Sequence, residues 1–396
     1  MEEKNIGQIN SIKIIKENAK INLTSNNKQK IVETKQNYSH YMIKEIYDTP
    51  DSIRELLKHY NNSQSFFDIL PKEILKKTQE ICFIACGTSY NAGLVAKDLI
   101  NKIAKVSVSV FTPINFVLTK PEIKKDTLYF FISQSGTTTD SLIAMEYVLK
   151  HTENVATLTN VQNSKMAILS NFKFYAYANE EKAIASTKVY TNQVAFMYLL
   201  ACTTAISKEK AQEDLYRTYV SELQNLFVSK KDIATLHQTA NKIVQNIKQP
   251  HIITILGHNS GSIIGSEAVL KFTETTYIPT LHFTTSEYLH GPIALVHENV
   301  WHFVIISNAE QLNYTNKVID KILANNGNIV VMANENIVKI INPVKNNNLY
   351  LYKIPNTNEF YDYISMIVAF QLVAFELCVA LGNNPDSPRH LTKSVI

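Results

Sequence analysis

The chain has no Gly-x-x-x-x-Gly-Lys stretch, so a nucleotide P-loop is not expected. Cysteine is scarce: Cys82, Cys86, Cys202 and Cys378 are the four, and they show no metal-ligand grouping with histidine. Buried thiols in a reducing cytosol fit that usage, and neither a metal nor a cofactor is expected. No apolar signal region opens the sequence at Met1-Glu2-Glu3-Lys4-Asn5. The longest apolar run, Ile364 to Leu381, is interrupted by Gln371 and Glu376, which suits a core helix rather than a membrane span. Charge is also sparse, at 19% of residues with a net +4, and the lysines are scattered. These features argue against nucleic-acid and membrane partners and for a cytoplasmic location.

What is present is enough apolar sequence for two globular cores: 396 residues, 45% of them hydrophobic. The most informative stretch is Ser133-Gln134-Ser135-Gly136-Thr137-Thr138-Thr139. It follows the apolar run Leu128–Ile132 and precedes a helical pattern from Ser141 to Leu149. The first N–H groups of a helix lack intrahelical partners and carry partial positive charge. Hydroxyl side chains around them make an anion cradle. Taken alone, the same stretch also suits a polar turn that merely caps a helix.

Strand and helix patterns alternate from Glu80 onward. Glu80–Cys86 reads as a buried strand, Gly87-Thr88-Ser89 as a turn and Asn91–Lys102 as a helix; strands follow at Val106–Phe111, Leu128–Ile132 and Val155–Thr159. Helical patterns fill 182–227 and 228–249, and Pro250 ends them. The rhythm then returns with a strand at Ile252–Leu256, a turn at Gly257–Gly261 and a helix at Ile263–Thr276. Strands at His302–Ile306, Ile329–Met332 and Leu349–Lys353 and a long helix at 359–381 complete it. This is the signature of an α/β chain with two doubly wound open parallel sheets in tandem. Ligands in such sheets sit beyond the carboxyl ends of the strands. Both Gly87-Thr88-Ser89 and Ser133–Gly136 fall there, which favours phosphate binding over a chance turn.

Three further groups bear chemistry. Glu267, Lys271 and Glu274 stand at i, i+4 and i+7, one helix face, and that spacing alone describes a solvated ion-pair ladder. Ser286–Pro292 places His290 beside a Gly-Pro turn, where a histidine can move protons near neutral pH or be structural. The tail Asn383–Ile396 carries Lys393, suited to a Schiff base if desolvated and folded over the site, but spacing does not establish that and a disordered end is the ordinary expectation.

In order along the chain come His40-Tyr41-Met42-Ile43-Lys44-Glu45-Ile46, Cys86-Gly87-Thr88-Ser89, Ser133-Gln134-Ser135-Gly136 and Ala185-Ser186-Thr187-Lys188. Leu289-His290-Gly291-Pro292 and Pro388–Val395 follow. Together they resemble the isomerase half of the glutamine–fructose-6-phosphate aminotransferase family, built of two sugar isomerase (SIS) domains. The resemblance covers about residues 39–396. It implies a remnant or linker at 1–38, SIS domains at 39–228 and 229–380, and a tail at 381–396 that closes the active site. It further implies a hexose-6-phosphate cradle of Thr88, Ser89, Ser133, Gln134, Ser135 and Thr138, with Ile184 and Ala185 beside it. Lys393 would form an imine with C2 of fructose 6-phosphate. Glu274 would move a proton between C1 and C2 with Lys271 and Glu267 beside it, and His290 of a neighbouring copy would open the ring, implying a homodimer.

Departures accompany the likeness. The family's glutaminase nucleophile is an N-terminal cysteine, whereas residue 2 is Glu2 and the first cysteine is Cys82. Ammonia would then come from solution or from a separate glutaminase subunit. Thr137 and Leu281 stand where the family carries carboxylates. The expected activity is interconversion of fructose 6-phosphate and glucosamine 6-phosphate. A deaminase or deglycase is the alternative, and a non-catalytic sugar-phosphate sensor ranks third.

Overall fold

The apolar runs become strands whose two faces are both covered, which is why they read as continuous rather than alternating hydrophobic stretches. In the computed structural model, residues 38–227, 229–248, 250–341, 346–355 and 362–393 are described. Apart from Tyr38, the segment considered a remnant or linker lies outside them. His40–Ile396 form one unit. It begins with helices α1 (Tyr41–Tyr47) and α2 (Thr49–His59), separated at Asp48.

The first sheet contains β1 (Glu80–Ala85), β2 (Ser107–Phe111), β3 (Thr127–Ser133), β4 (Val155–Thr159) and β5 (Phe172–Tyr175) in the order β2-β1-β3-β4-β5. All four pairings are parallel. Helix α3 (Gly87–Ile103) follows β1, α4 (Thr139–Leu149) follows β3, and the buried α5 (Lys188–Ser207) follows β5. A capped helix α6 (Lys230–Val244) leads to the second sheet, its first turn closed reciprocally by Ser229 and Asp232. That sheet contains β6 (Ile252–Gly257), β7 (Thr280–Thr284), β8 (Val300–Ile306), β9 (Asn328–Asn334) and β10 (Leu349–Ile354). Read from its β7 edge, the order is β7-β6-β8-β9-β10, again all parallel. The two sheets therefore repeat one topology. Helices α7 (Ser260–Thr276), α8 (Leu312–Ala324) and α9 (Asp362–Ala380) cover the second.

Two corrections to the sequence reading concern edge strands. Phe172–Tyr175 and Thr280–Thr284, neither expected as a strand, pair at one edge of each sheet. Both are short and half-exposed, so neither shows the long apolar run of a central strand. Helices α3 and α7 also begin earlier than periodicity suggested, at Gly87 and Ser260. The hydroxyl residues Thr88 and Ser89 thus lie in a first helical turn. Helix α9 is the single helix among the described residues long and apolar enough to cross a membrane, and 83% of its residues 363–380 are buried inside the protein. Its Gln371 donates to the carbonyl of Thr187, so a polar interruption of the apolar run serves packing between the halves. Helix α7 of the second half packs on α3 of the first, and that contact carries second-half side chains to the first sheet's rim.

Candidate active site

The strand order changes direction between β1 and β3, and the loops leaving those two strands face each other across the carboxyl edge. After β3, the chain folds onto itself. Ser133 Oγ accepts from Gly136 N at 3.0 Å and meets Thr138 Oγ1 at 3.2 Å, while Ser135 Oγ accepts from Thr137 N at 3.2 Å. Gly136 has φ +63°, and a Cβ there would stand 2.1 Å from Ser164 Oγ. Only glycine makes this turn. After β1, Gly87 turns with φ +52° and leads directly into α3. Ser89 is held by Gln193 of α5, whose amide donates to its hydroxyl at 3.1 Å.

The two loops bound a cavity of about 190 Å³, lined by Thr88, Ser89, Ser133, Gln134, Ser135 and Thr138 together with Ser186, Thr392 and Lys393. The tail therefore packs against the hydroxyl loops instead of running free. Ile184 and Ala185 are not among the lining residues. Ser186 occupies that place, and its buried hydroxyl has no hydrogen-bond partner among the described residues. The Ile184 amide instead donates to the Asp386 carbonyl at 3.0 Å and fastens the tail.

Beside the cavity, Glu267 and Lys271 are wholly buried, so the solvated ladder suggested by spacing does not form. Glu267 accepts from Asn91 at 2.6 Å and from the Thr88 hydroxyl at 3.1 Å. Lys271 donates to Thr88 Oγ1 at 3.1 Å and pairs with Glu267 at 3.3 Å and with Glu274. Burial works against charge on Lys271, but Glu274 and then Glu267 overcome it and raise its pKa. Burial likewise raises Glu267, with Lys271 opposing. The network ties Thr88 to Glu274. Glu274 and His290 are not themselves lining residues.

Two carboxylates missed at the sequence level govern the tail lysine. Lys393 Nζ lies 2.8 Å from Glu181 Oε2 and also donates to the Ala183 carbonyl. Glu181 is fully buried and accepts from Thr187 N at 2.8 Å and Val189 N at 3.2 Å. Burial opposes its charge, but Lys393 and these donors hold its pKa below the ordinary carboxylate value. Glu45 of α1 braces the same loop, accepting from Lys182 N at 2.5 Å and Ala183 N at 3.4 Å. Burial first, and then the charge of Glu181, push Glu45 up to about 8. The His40–Ile46 motif was the available signal, since a glutamate there sits among buried Met42, Ile43 and Ile46.

The family model for the SIS domain matches residues 74–203 and 246–377, one match across each sheet. The chain belongs to the SIS domain family. Among SIS relatives, glutamine–fructose-6-phosphate aminotransferase [isomerizing] of Bartonella henselae is 30% identical over 367 residues, covering 92% of this chain and 60% of that protein. The same-named protein of Caldanaerobacter subterraneus is 30% identical over 369 residues, covering 90% and 59%. The chain thus spans about 60% of the length of these curated relatives. Among solved SIS structures, the C-terminal domain of glucosamine-fructose-6-phosphate aminotransferase from Francisella tularensis matches with a TM-score of 0.83 and 28% identity, covering 89% of this chain and 99% of that one. Glucosamine-6-phosphate deaminase from Thermotoga maritima shares the fold, with a TM-score of 0.63 at 21% identity over 87% of this chain and 99% of that one.

Proposed function

We propose that this SIS protein interconverts fructose 6-phosphate and glucosamine 6-phosphate through an imine on Lys393, using ammonia from solution or from a separate glutaminase. The observation that carries this reading is the shared cavity: an anion cradle and a buried-carboxylate-held lysine line the same small space. Ser133, Gln134, Ser135 and Thr138, with the first N–H groups of α3 and α4, take the phosphate. Lys393 must lose a proton to water to act as a nucleophile, and Glu181, in contact with its ammonium, holds it in place. The neutral amine adds to C2 of the ketose and water leaves, giving the imine. Ammonia adds to that imine and expels the lysine amine, leaving a sugar imine at C2. This imine acidifies the C1–H bond, and Glu274 carries the proton from C1 to C2 while Lys271 balances its charge, leaving the amine on C2 and a carbonyl at C1. His290 acts on the ring oxygen of sugar bound in a neighbouring copy.

The test is product analysis after incubation with fructose 6-phosphate plus ammonium, fructose 6-phosphate plus glutamine, and glucosamine 6-phosphate. Amino-sugar formation with ammonium but not glutamine is expected. No turnover in any of the three overturns the proposal, and turnover of glucosamine 6-phosphate alone assigns a deaminase. Borohydride should trap the sugar on the native protein, with Lys393→Ala losing the adduct. A persistent adduct would show that another lysine carries the imine.

A further inference from the structure

The repeated topology creates a second switch point, between β6 and β8, that the proposed reaction leaves unused. A cavity of about 330 Å³ opens there against His258, Asn259, Asn308, Glu310, Gln311 and Tyr314. Ligands of open parallel sheets favour this location, and the volume lies near the lower end for small-molecule pockets.

The two switch points use the same backbone turn with different chemistry. Gly87 leaves β1 with φ +52°, and Asn259 leaves β6 with φ +48°. The first turn exposes backbone to an anion, while the second places an amide side chain at the cavity. Beneath it, Ser260 and Ser307 hydroxyls meet at 2.8 Å, and the Gln311 amide donates to Ser307 Oγ at 3.1 Å. This floor is already hydrogen-bonded and holds its shape. One wall is aromatic: the rings of His258 and Tyr314 stand 6.2 Å apart at 68°, with Tyr314 still 68% exposed. His258 Nε2 is out of water, with no hydrogen-bond partner among the described residues. Burial also lowers the His258 pKa, which keeps the ring neutral at neutral pH.

Charge separates this cavity from the first. Among the described residues no lysine or arginine lines it, and Glu310 is its carboxylate. A phosphate would meet like charge with no cation to offset it. A protonated amine would gain a charge-assisted bond to Glu310 and an electrostatic contact with the Tyr314 ring face. Asn259 supplies a donor and an acceptor, and Ser286 a hydroxyl, for hydroxyl groups of a ligand. We infer that the second switch point is a separate binding site for a small polyhydroxylated amine of the unphosphorylated hexosamine class.

Calorimetric titration of the full chain with glucosamine, glucose and inorganic phosphate tests this. Four proteins are compared: wild type, Tyr314→Ala, Glu310→Gln and Lys393→Ala. Glucosamine is expected to bind wild type and Lys393→Ala alike, and to bind Tyr314→Ala and Glu310→Gln about tenfold or more weakly. Glucose should bind wild type about tenfold more weakly than glucosamine, with saturating phosphate displacing neither. Circular dichroism should show both surface variants folded, as the exposure of Tyr314 and Glu310 leads one to expect. Absence of glucosamine binding to wild type overturns the inference. So does equal affinity for glucose, or binding that Lys393→Ala abolishes and Tyr314→Ala retains.

Discussion

Gly136 and Glu45 show how single positions constrain the first cavity. At Gly136, a methyl group meets both an unfavourable positive φ and the Ser164 hydroxyl. Gly136→Ala is expected to cost about 1–3 kcal/mol of stability and to weaken fructose 6-phosphate binding more than tenfold, roughly. Urea denaturation and calorimetric titration check the two effects, and unchanged phosphate-sugar affinity would remove the turn from the cradle. Glu45 makes a pH prediction. Its folded pKa near 8 lies above its ordinary 4.5, so the native state holds a proton that the unfolded chain releases. The stabilisation from this group is complete below the unfolded value and is lost as pH rises through the folded one. The slope reaches at most about 1.4 kcal/mol per pH unit. Glu45→Gln should flatten the stability profile across roughly pH 5–8. Equal slopes for both proteins would place the titration elsewhere.

At the scale of elements, the tail 383–393 is fastened by backbone as well as by its lysine. Asp386 Oδ1 accepts from Met42 N at 2.8 Å, so α1 holds both the tail and, through Glu45, the loop that holds Lys393. Arg389 lies over the Tyr277 ring, 4.1 Å from its centroid, and its amide donates to the Tyr277 hydroxyl at 2.9 Å. Asp386→Ala is expected to lower borohydride trapping at Lys393 by about tenfold while costing only about 1–2 kcal/mol of global stability. Limited proteolysis should cut the variant's tail faster than the native one. Equal trapping rates would mean that the lysine is positioned without this anchor. The helix α7 illustrates the limit of periodicity at this scale. Its charged i, i+4, i+7 face looks solvated in sequence, yet packing against α3 buries Glu267 and Lys271 at Thr88.

For the whole molecule, the two parallel-sheet units were legible because their central strand runs are apolar and helix starts follow turns. The order of strands within each sheet came from the structure. The edge strands β5 and β7 were not legible, since short half-exposed strands carry little pattern. His290 lies outside the lining of the cavity that contains Lys393. If a neighbouring copy supplies it, mixing inactive His290→Ala and Lys393→Ala protomers should restore part of the turnover. At random exchange about half of the pairs are mixed, and each mixed dimer has one site with both residues. No recovery after verified exchange would place His290 in its own chain's site or outside catalysis.

Sequence alone determined the α/β class, the two tandem parallel-sheet units and the hydroxyl loops at a strand's carboxyl end. Each depends on residues adjacent in the chain, whose periodicity and turn chemistry are local. Tertiary structure decided what those loops face. Glu181 and Glu45 come from different elements, and only the packing of α1, the 181–188 loop and the tail brings their carboxylates to the residues around Lys393. Burial also decided the character of Glu267 and Lys271, because desolvation is a property of neighbours remote in sequence rather than of spacing.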